Sequence, residues 1–553
     1  MIWVGGIFLC LLLLFFLWFN GYRYFISNSV LRDSPSSYLQ QHKNDLVAWR
    51  IWNKETLDYA KQVNKPLFIS IGFATCYGCH VMGGESFRDP FISKIINRYF
   101  VPILVDRNQY PLIDSMYANL MDYQRGRTGW PATIMTTPDG IPLFMSTYVS
   151  RRRLTYSLNI IRTDWKEQSD VTQKRAHEWL DVYAKETAIQ PYIPFIDPTE
   201  ALQQFLLNSF DEEFAGIGVE QKFPLFLSWS QSLMISSDFL VYAKRTVDHI
   251  ITSPLFDFID GGVHRYSESR DWKRPHYEKL LIDQVYFIQL LTQIYALTNQ
   301  QLYLDIAQFN MSFLISKFRN PSGYFVTGLD AGELYQSGSY YFFKDDFLDE
   351  LAPLTFARFS MDRFDNLVSL INPTDFNFVD RLPLKNKRMN SRIQLRKDLF
   401  VSVLDNALLL NSIVYLNHFA KNVEYDGVIE QLLNFLLEQD PYQLPLMDLL
   451  VLYDVFKSMG LSHDLSIYEL VIKRRLGKSF PFYKEISYLP SNLQQYDYLD
   501  LYNYPQPLFY VLKHRQTLLK DYTDKMMCND LRQVLIKSWE QLSLLKIFNN
   551  SCQ

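Results

Sequence analysis

The sequence predicts a multidomain chain: an N-terminal transmembrane helix, an α/β domain and a larger all-α domain. Three observations support this prediction. Residues 1–19 carry no charged side chain, strand and helix patterns alternate from residue 50 to residue 148, and helical patterns alone recur after residue 195. A chain of 553 residues has room for several domains, and its 48% hydrophobic and 21% charged content is that of a globular protein.

The first segment, residues 1–20, is predicted to cross a membrane once. Its apolar run suffices, because a helix needs about 20 such residues to span the hydrocarbon core. A buried core helix and a cleaved signal peptide are the alternatives, but the run has no basic start and no small-residue cleavage site follows it. Arg23 and Arg32 follow the run, which favours a cytoplasmic main body. The expected localisation is therefore a single-pass membrane protein, with a linker at 21–35.

Charge and cysteine content exclude several function classes. The net charge is −4 and no block of Lys or Arg occurs, so nucleic acid is not an expected partner. The five cysteines are too few for a disulfide framework; they are Cys10, Cys76, Cys79, Cys528 and Cys552. Nucleotide and phosphate-loop motifs are absent, and no cofactor or metal is expected.

The α/β domain is predicted to extend over residues 36–165. Strand patterns occur at 66–73 and 101–106, each followed by a helical pattern, and two more strands flank the turn at 137–140. This β-α-β-α-β-β order is typical of a compact α/β domain.

The motif "CYGCH" at residues 76–80 fits three kinds of site: c-type haem attachment, half of a zinc site, or a thiol–disulfide active site. A strand just before the motif argues against haem. Zinc would need two more ligands, and the motif has none nearby. A structural cysteine pair is the remaining alternative. We favour the thiol–disulfide site in a thioredoxin-like fold.

In this interpretation three residues have roles. Cys76 opens a helix, where the thiolate form is favoured, so it is predicted to be the nucleophile. Cys79 lies one turn later and would resolve a mixed disulfide. Pro131 in "GWP" begins a strand and fits the proline that faces the cysteines in a thioredoxin fold.

The all-α domain is predicted over residues 195–550. Helical stretches alternate with short connections, which indicates paired helices that close into a toroid or stack as a solenoid. We favour the toroid.

A polar cluster in this domain is the second candidate site. If a helix begins at Pro275, then His276, Lys279 and Asp283 share one face, and general acid–base work on a sugar becomes feasible. The other candidates for this cluster are His264, Arg265, Trp272 (a stacking surface) and Asp330. The alternative is a buried structural network of ion pairs and hydrogen bonds.

Several motifs resemble the spermatogenesis-associated protein 20-like family. They are "KPLFISIGFATCYGCHVMGGESF", "VDR", "GWP", "TPDGIPLFMSTY", "DGGVHRYSESRDWKRPHYEKLLIDQ" and "PSGYF", within residues 36–345. The resemblance implies a thioredoxin-like domain followed by an (α/α)6 six-hairpin toroid, similar to those of glycosidases and N-acylglucosamine 2-epimerases. Two departures are notable: CYGCH replaces CHWCH, and "LDAGE" replaces an acidic segment, keeping Asp330.

Three functional hypotheses follow. The first is a thiol–disulfide oxidoreductase with a protein thiol or disulfide as partner. The second is a carbohydrate-active toroid, isomerase or glycosidase-like, with a sugar ligand. The third is a non-catalytic binding scaffold.

Overall fold

The computed structural model describes residues 28–126, 128–187, 198–333, 336–341, 357–361, 367–371, 395–461, 465–476, 482–484 and 498–500. Among these residues the chain forms two compact units, one before residue 188 and one after it. The predicted limits of the two domains, 36–165 and 195–550, remain predictions.

The first unit is an α/β domain that contains five strands. The strands are β1 (Arg50–Ile51), β2 (Leu67–Gly72), β3 (Val101–Asp106), β4 (Ala132–Thr136) and β5 (Pro142–Ser146). Its helices are α1 (Ser29–Arg32), α2 (Ser37–Gln41), α3 (Lys54–Gln62), α4 (Tyr77–Met82), α5 (Pro90–Tyr99), α6 (Pro111–Arg125) and α7 (Arg151–Thr187). A π-helix, Gly83–Phe87, continues α4.

The five strands form one mixed sheet in the order β1-β3-β2-β4-β5. Strand β2 lies at its centre, parallel to β3 and antiparallel to β4, and its register pairs Gly72 with Asp106. Every residue of β2 and β3 is buried, which explains why both were recognisable as continuous apolar runs. The CYGCH motif therefore follows the C-terminal end of the central strand, β2.

Aromatic side chains form much of the core on one face of the sheet. Phe68 of β2 contacts Trp49, Phe87 and Phe100, with ring centroids 5.9 to 6.5 Å apart. Such contacts add to the free energy gained by burying the rings. The Phe68–Phe87 contact therefore joins the central strand to the π-helix that continues α4.

The second unit consists mainly of helices. They are α8 (Pro198–Ser209), α9 (Phe226–Ile235), α10 (Leu240–Ile251), α11 (Leu281–Thr298), α12 (Gln301–Lys317), α13 (Val403–Ala420), α14 (Val423–Leu437), α15 (Leu446–Ser458) and α16 (Leu465–Leu476). Short strands connect them: β6 (Tyr266–Ser267), β7 (Pro275–His276), β8 (Lys279–Leu280), β9 (Gly328–Leu329), β10 (Gly332–Glu333), β11 (Gln336–Ser337), β12 (Ala357–Met361), β13 (Leu367–Ile371), β14 (Lys397–Asp398), β15 (Phe482–Lys484) and β16 (Tyr498–Asp500).

These helices form hairpins in two layers. Helices α9, α11, α13 and α15 pack against one another in succession, and each also contacts the helix that follows it in the chain. Buried residues lie all round α11, α13 and α15, as expected for inner helices, whereas α14 buries one face. The arrangement supports the predicted toroid of helical hairpins.

The transmembrane part of the predicted fold class requires correction. In the described ranges, no helix combines the length and the apolar character that a bilayer crossing demands. The longest, α7 with 37 residues, is rich in Arg, Lys, Asp and Glu and is interrupted at Gln168. Residues 1–20, on which the prediction depended, lie outside the described residues. We therefore withdraw the N-terminal transmembrane helix, the single-pass membrane localisation and the cytoplasmic main body, and keep the two-domain description.

Candidate functional site

Cys76 and Cys79 form a disulfide at the C-terminal end of the central strand, with 5.2 Å between their Cα atoms. Cys76 is the N-cap residue of α4, and its sulfur accepts a hydrogen bond from the Cys79 amide at 3.1 Å. Both cysteines are buried, while Tyr77 and Gly78 between them are partly exposed. The first turn of α4 thus presents amide hydrogens to the Cys76 sulfur, an arrangement that favours a thiolate there once the bond is reduced.

Pro131 lies beside the disulfide loop. The Trp130–Pro131 peptide bond is cis. A β-carbon on Gly78 would lie 3.1 Å from Pro131 Cδ and 3.3 Å from the Trp130 carbonyl oxygen, so only glycine fits this contact without a shift. The structure therefore places Pro131 against the loop that joins Cys76 to Cys79, and the roles of the three residues remain predictions.

A polar and aromatic group that sequence reasoning missed surrounds this loop. The Trp130 indole donates a hydrogen bond to Asp114 at 2.7 Å, and the Arg107 guanidinium lies 3.9 Å from the centre of the Trp130 ring. Arg107 also lies 3.4 Å from Asp114, and Phe73 packs edge-on against Trp130. "VDR" and "GWP" were the available signals, but only the proline had been given a role.

Buried polar residues lie on the inner side of the disulfide. Ser36 donates a hydrogen bond to Asp106 at 2.5 Å, and His42 pairs with Asp45 at 2.6 Å. Tyr38 in α2 is completely buried, and burial raises the pKa of its phenol above the usual range. Asp106 lies in "VDR" but had been given no role. The other four residues were not identified from the sequence, because they precede the motif by more than thirty positions.

The predicted helix face in the second domain is wrong. Helix α11 begins at Leu281, and the preceding residues are extended: His276 pairs with Tyr266 across β6 and β7, and Lys279 pairs with Leu329 across β8 and β9. In these strand pairs the backbone N–H and C=O groups bond to distant segments, instead of to one another as in a helix that began at Pro275. His276, Lys279 and Asp283 therefore do not share a helix face, and only Asp283 lies in the first turn of α11.

Two of the predicted residues have structural contacts. Lys279 is fully buried, and its ammonium group lies 2.7 Å from Asp257 and donates to the Gly261 carbonyl at 2.7 Å. Trp272 is also buried, and its indole donates to the Phe214 carbonyl at 2.8 Å, so it provides no stacking wall for a sugar.

The remaining candidates are grouped around Glu278, a residue to which the sequence analysis gave no role. Arg265 lies 3.2 Å from the Glu278 carboxylate, and His276 lies 3.7 Å from it. His264 lies 3.1 Å from the Tyr277 carbonyl oxygen through Nδ1, and its ring packs edge-on against Tyr341.

Asp330 faces Glu278 across the strand pair. Because Lys279 pairs with Leu329 and Leu280 with Gly328, the antiparallel register sets residue 278 opposite residue 330. Asp330 is 1% exposed, and burial together with the nearby Glu278 charge raises its pKa to about 8. The Ala331 amide donates to the Asp330 carboxyl at 2.7 Å. The Asp330 carboxyl is thus protonated near neutral pH. Neither here nor elsewhere in the described ranges is a group of three or more His, Cys, Asp or Glu side chains arranged to hold a metal ion.

Comparisons with known proteins support the family resemblance. Residues 28–183 match the Thioredox_DsbH family model, described as "Protein of unknown function, DUF255". The chain is 28% identical to human (Homo sapiens) spermatogenesis-associated protein 20 over 344 residues, which is 58% of this chain and 44% of the relative. It is 30% identical to the Caenorhabditis elegans protein named "Uncharacterized protein B0495.5" over 325 residues, 55% of this chain and 44% of the relative. The chain thus spans a little under half the length of these curated relatives.

Among solved structures, the chain is similar to cellobiose 2-epimerase from Bacillus thermoamylovorans B4167, with 12% identity and a TM-score of 0.38 over 60% of this chain and 82% of the epimerase. It is also similar to a D-mannose isomerase, with 7% identity and a TM-score of 0.35 over 64% of this chain and 84% of that one. From the sequence comparisons, residues 28–183 form a Thioredox_DsbH domain, and the chain is a homologue of the spermatogenesis-associated protein 20 proteins.

Proposed function

We propose that this protein is a thiol–disulfide oxidoreductase that acts through the Cys76–Cys79 pair on a protein substrate. The observation that carries the proposal is the disulfide at the start of α4, with the Cys79 amide on the Cys76 sulfur and Pro131 beside the loop. Thiol–disulfide exchange needs such a helix start for its attacking sulfur and a second thiol within reach to resolve the intermediate.

The proposed exchange is balanced by the substrate itself. A substrate thiolate attacks the Cys76 sulfur, the Cys76–Cys79 bond breaks, and Cys79 leaves as a thiolate. The second substrate thiolate then attacks the substrate sulfur of the mixed disulfide. This forms the substrate disulfide and releases Cys76 as a thiolate. Two electrons and two protons pass from the substrate dithiol to this protein, and the reverse sequence reduces a substrate disulfide.

The test uses a fluorescent peptide that contains one disulfide, with dithiothreitol as the reductant. We expect the full-length protein to accelerate peptide reduction, Cys76→Ser to abolish the acceleration, and Cys79→Ser to accumulate a mixed disulfide with the peptide. Thr75→Ser serves as the matched control beside the pair. Equal acceleration by the wild type and Cys76→Ser would refute the proposal.

A second candidate function belongs to the helical domain, and the Glu278–Asp330 pair is the observation that favours it. Asp330 in its protonated form can donate a proton to a ligand, and the Glu278 carboxyl lies opposite it. Arg265, His264 and His276 lie around this pair, so a neutral polyhydroxylated ligand such as a sugar fits its chemistry. The same contacts also suit a structural network, and the experiment distinguishes the two.

The experiment monitors deuterium uptake from D2O at sugar carbons by NMR, using mono- and disaccharides with the full-length protein. Acid–base action predicts uptake that Asp330→Asn and Glu278→Gln both abolish, while a substitution at the exposed Asp426 leaves it unchanged. No uptake from any sugar, with lower stability in both variants, would identify a structural network.

A further inference from the structure

The feature of interest is a close approach over Gly72, the last residue of the central strand. A β-carbon at Gly72 would lie 2.6 Å from the Tyr38 hydroxyl oxygen and 2.7 Å from the Cys79 sulfur. The phenol and the resolving sulfur therefore reach the same point, and glycine at position 72 is what leaves room for both.

Tyr38 is held rigidly in this position. It lies in α2, which begins at Ser37 after the N-cap Ser36, and Ser36 in turn donates a hydrogen bond to Asp106. The Tyr38 ring is fully buried and packs edge-on against His42, with 4.9 Å between ring centroids. A side chain fixed in this way directs its hydroxyl group without the entropic cost of ordering it at each catalytic cycle.

The Tyr38 hydroxyl is poorly satisfied in the disulfide form. It lies close to the hydroxyl of Ser70, which is on the same face of β2 as Gly72. Neither hydroxyl makes a hydrogen bond of normal geometry within the described part of the chain. A buried donor without a good acceptor is costly, by about 1–3 kcal/mol, and native structures usually keep such a group for a reason. A disulfide sulfur is a weak acceptor, whereas a thiolate is a strong one.

We propose that, when the disulfide is reduced, the Tyr38 hydroxyl donates a hydrogen bond to the Cys79 sulfur and stabilises its thiolate form. The proposal rests on the proposed function, because it assigns Tyr38 to the step in which Cys79 leaves or attacks. Tyr38 acts as a donor rather than a base: burial and the nearby Asp106 and Asp45 charges keep the phenol protonated. The other ionisable groups around it are His42, which pairs with Asp45, and Arg88, 3.6 Å from Asp45.

Two consequences follow for the cysteine pair. The thiolate of Cys79 becomes a better leaving group, since a donor removes part of its negative charge. The reduced form also gains a hydrogen bond that the disulfide form lacks, which shifts the redox equilibrium towards the dithiol. Removing the hydroxyl should therefore change both the titration of Cys79 and the redox equilibrium.

The experiment compares Tyr38→Phe with Tyr117→Phe in the full-length protein. Tyr117 is a matched control, because it is also fully buried in this domain but donates to the Gly140 carbonyl at 3.0 Å. In a Cys76→Ser background, the pH midpoint of Cys79 alkylation is followed by mass spectrometry. The equilibrium between disulfide and dithiol is measured in glutathione buffers with Cys76 intact.

We expect Tyr38→Phe to raise the alkylation midpoint by about one pH unit or more, a tenfold effect, and to favour the disulfide in glutathione by a similar factor. Tyr117→Phe should change neither quantity. An unchanged Cys79 midpoint in a folded Tyr38→Phe variant would overturn the proposal.

Two further results keep the test decisive. If Tyr38→Phe fails to fold, the Cys76→Ser protein alone decides: a midpoint below about 8.5, the ordinary thiol value, supports the donor, and a midpoint above it contradicts the donor. If the wild type exchanges no thiols with any substrate, the proposed function fails, but the Cys79 midpoint still tests Tyr38 independently.

Discussion

At the scale of single residues, the two cysteines of the motif differ in their surroundings although both are buried. Cys76 faces the first amide groups of α4, and the partly exposed Tyr77 and Gly78 follow it. Cys79 faces inward, towards Gly72 and Tyr38. The amide groups at the start of α4 therefore favour Cys76 as the reactive sulfur.

We predict that iodoacetamide alkylates Cys76 about tenfold faster than Cys79 in the reduced protein at neutral pH, because the amide donors at the helix start favour the Cys76 thiolate. Cys528 and Cys552, which lie outside the described residues, serve as internal references in the same mass spectrum. Equal labelling of Cys76 and Cys79 would remove the basis for naming Cys76 the nucleophile.

Gly72 gives a second prediction at this scale. Gly72→Ala should lower the free energy of unfolding of the α/β domain by about 1–3 kcal/mol, because its methyl group would overlap Tyr38 and Cys79. Thermal unfolding followed by near-UV circular dichroism measures the change. Gly129→Ala is the control, since a β-carbon there would meet Thr147 at an ordinary 3.4 Å. An unchanged free energy of unfolding in Gly72→Ala would show that Tyr38 and Cys79 do not fill the space next to residue 72.

At the scale of elements, the sequence predicted some structures well for identifiable reasons. Strands β2 and β3 were recognisable because they are buried on both faces. The helix at CYGCH was recognisable because a strand ends just before the motif and a helical pattern follows it. The prediction for residues 275–280 was wrong, because a proline such as Pro275 fits the first turn of a helix as well as the start of a strand. Only the pairing with residues distant in sequence, such as Leu329, decides between them.

The candidate sites show the same limit. Cys76, Cys79 and Pro131 were predictable from local motifs, but Tyr38, Arg107 and Glu278 were not. Each of these three acquires its position through contacts between segments that are far apart in sequence. A single sequence carries no local signal for such contacts.

The buried Asp330 carboxyl opposite Glu278 predicts that the stability of the helical domain depends on pH. Asp330 has a pKa of about 8 in the folded chain, above its ordinary value of 3.8, so the folded state binds an extra proton between these values. The free energy of unfolding of the helical domain should therefore fall as the pH rises from about 4 towards about 8, and then level off.

The midpoint of thermal unfolding of the helical domain, measured across this pH range, tests the prediction. Asp330→Asn should flatten the decline, since an amide stays neutral, whereas the exposed Asp426→Asn should leave it unchanged. An equally steep decline in Asp330→Asn would assign the titration to another group.

At the scale of the whole molecule, the described residues form two units that each have a core of their own. The first contains the entire five-stranded sheet and every residue of the proposed thiol–disulfide site. The second contains the helical hairpins and the Glu278–Asp330 pair. The two proposed activities therefore depend on separate cores.

We predict that residues 28–187, expressed alone, fold cooperatively and keep the thiol–disulfide exchange of the full chain within about threefold, because independent cores define domains that fold alone. Circular dichroism and the peptide-reduction assay measure both properties. An unfolded or inactive fragment would mean that the first unit depends on the rest of the chain.

The central position of β2 in the sheet affects how this domain exchanges its amide hydrogens with solvent. Strands β3 and β4 cover both edges of β2, whereas β1 and β5 each have a neighbour on one edge only. Opening β2 requires the sheet to separate along two ladders, so its amides exchange only when most of the domain opens. We therefore expect β2, which leads to the cysteines, to be among the slowest-exchanging parts of the sheet, together with β3 and β4. A substrate that docks at the end of β2 would then meet the part of the domain that opens least often.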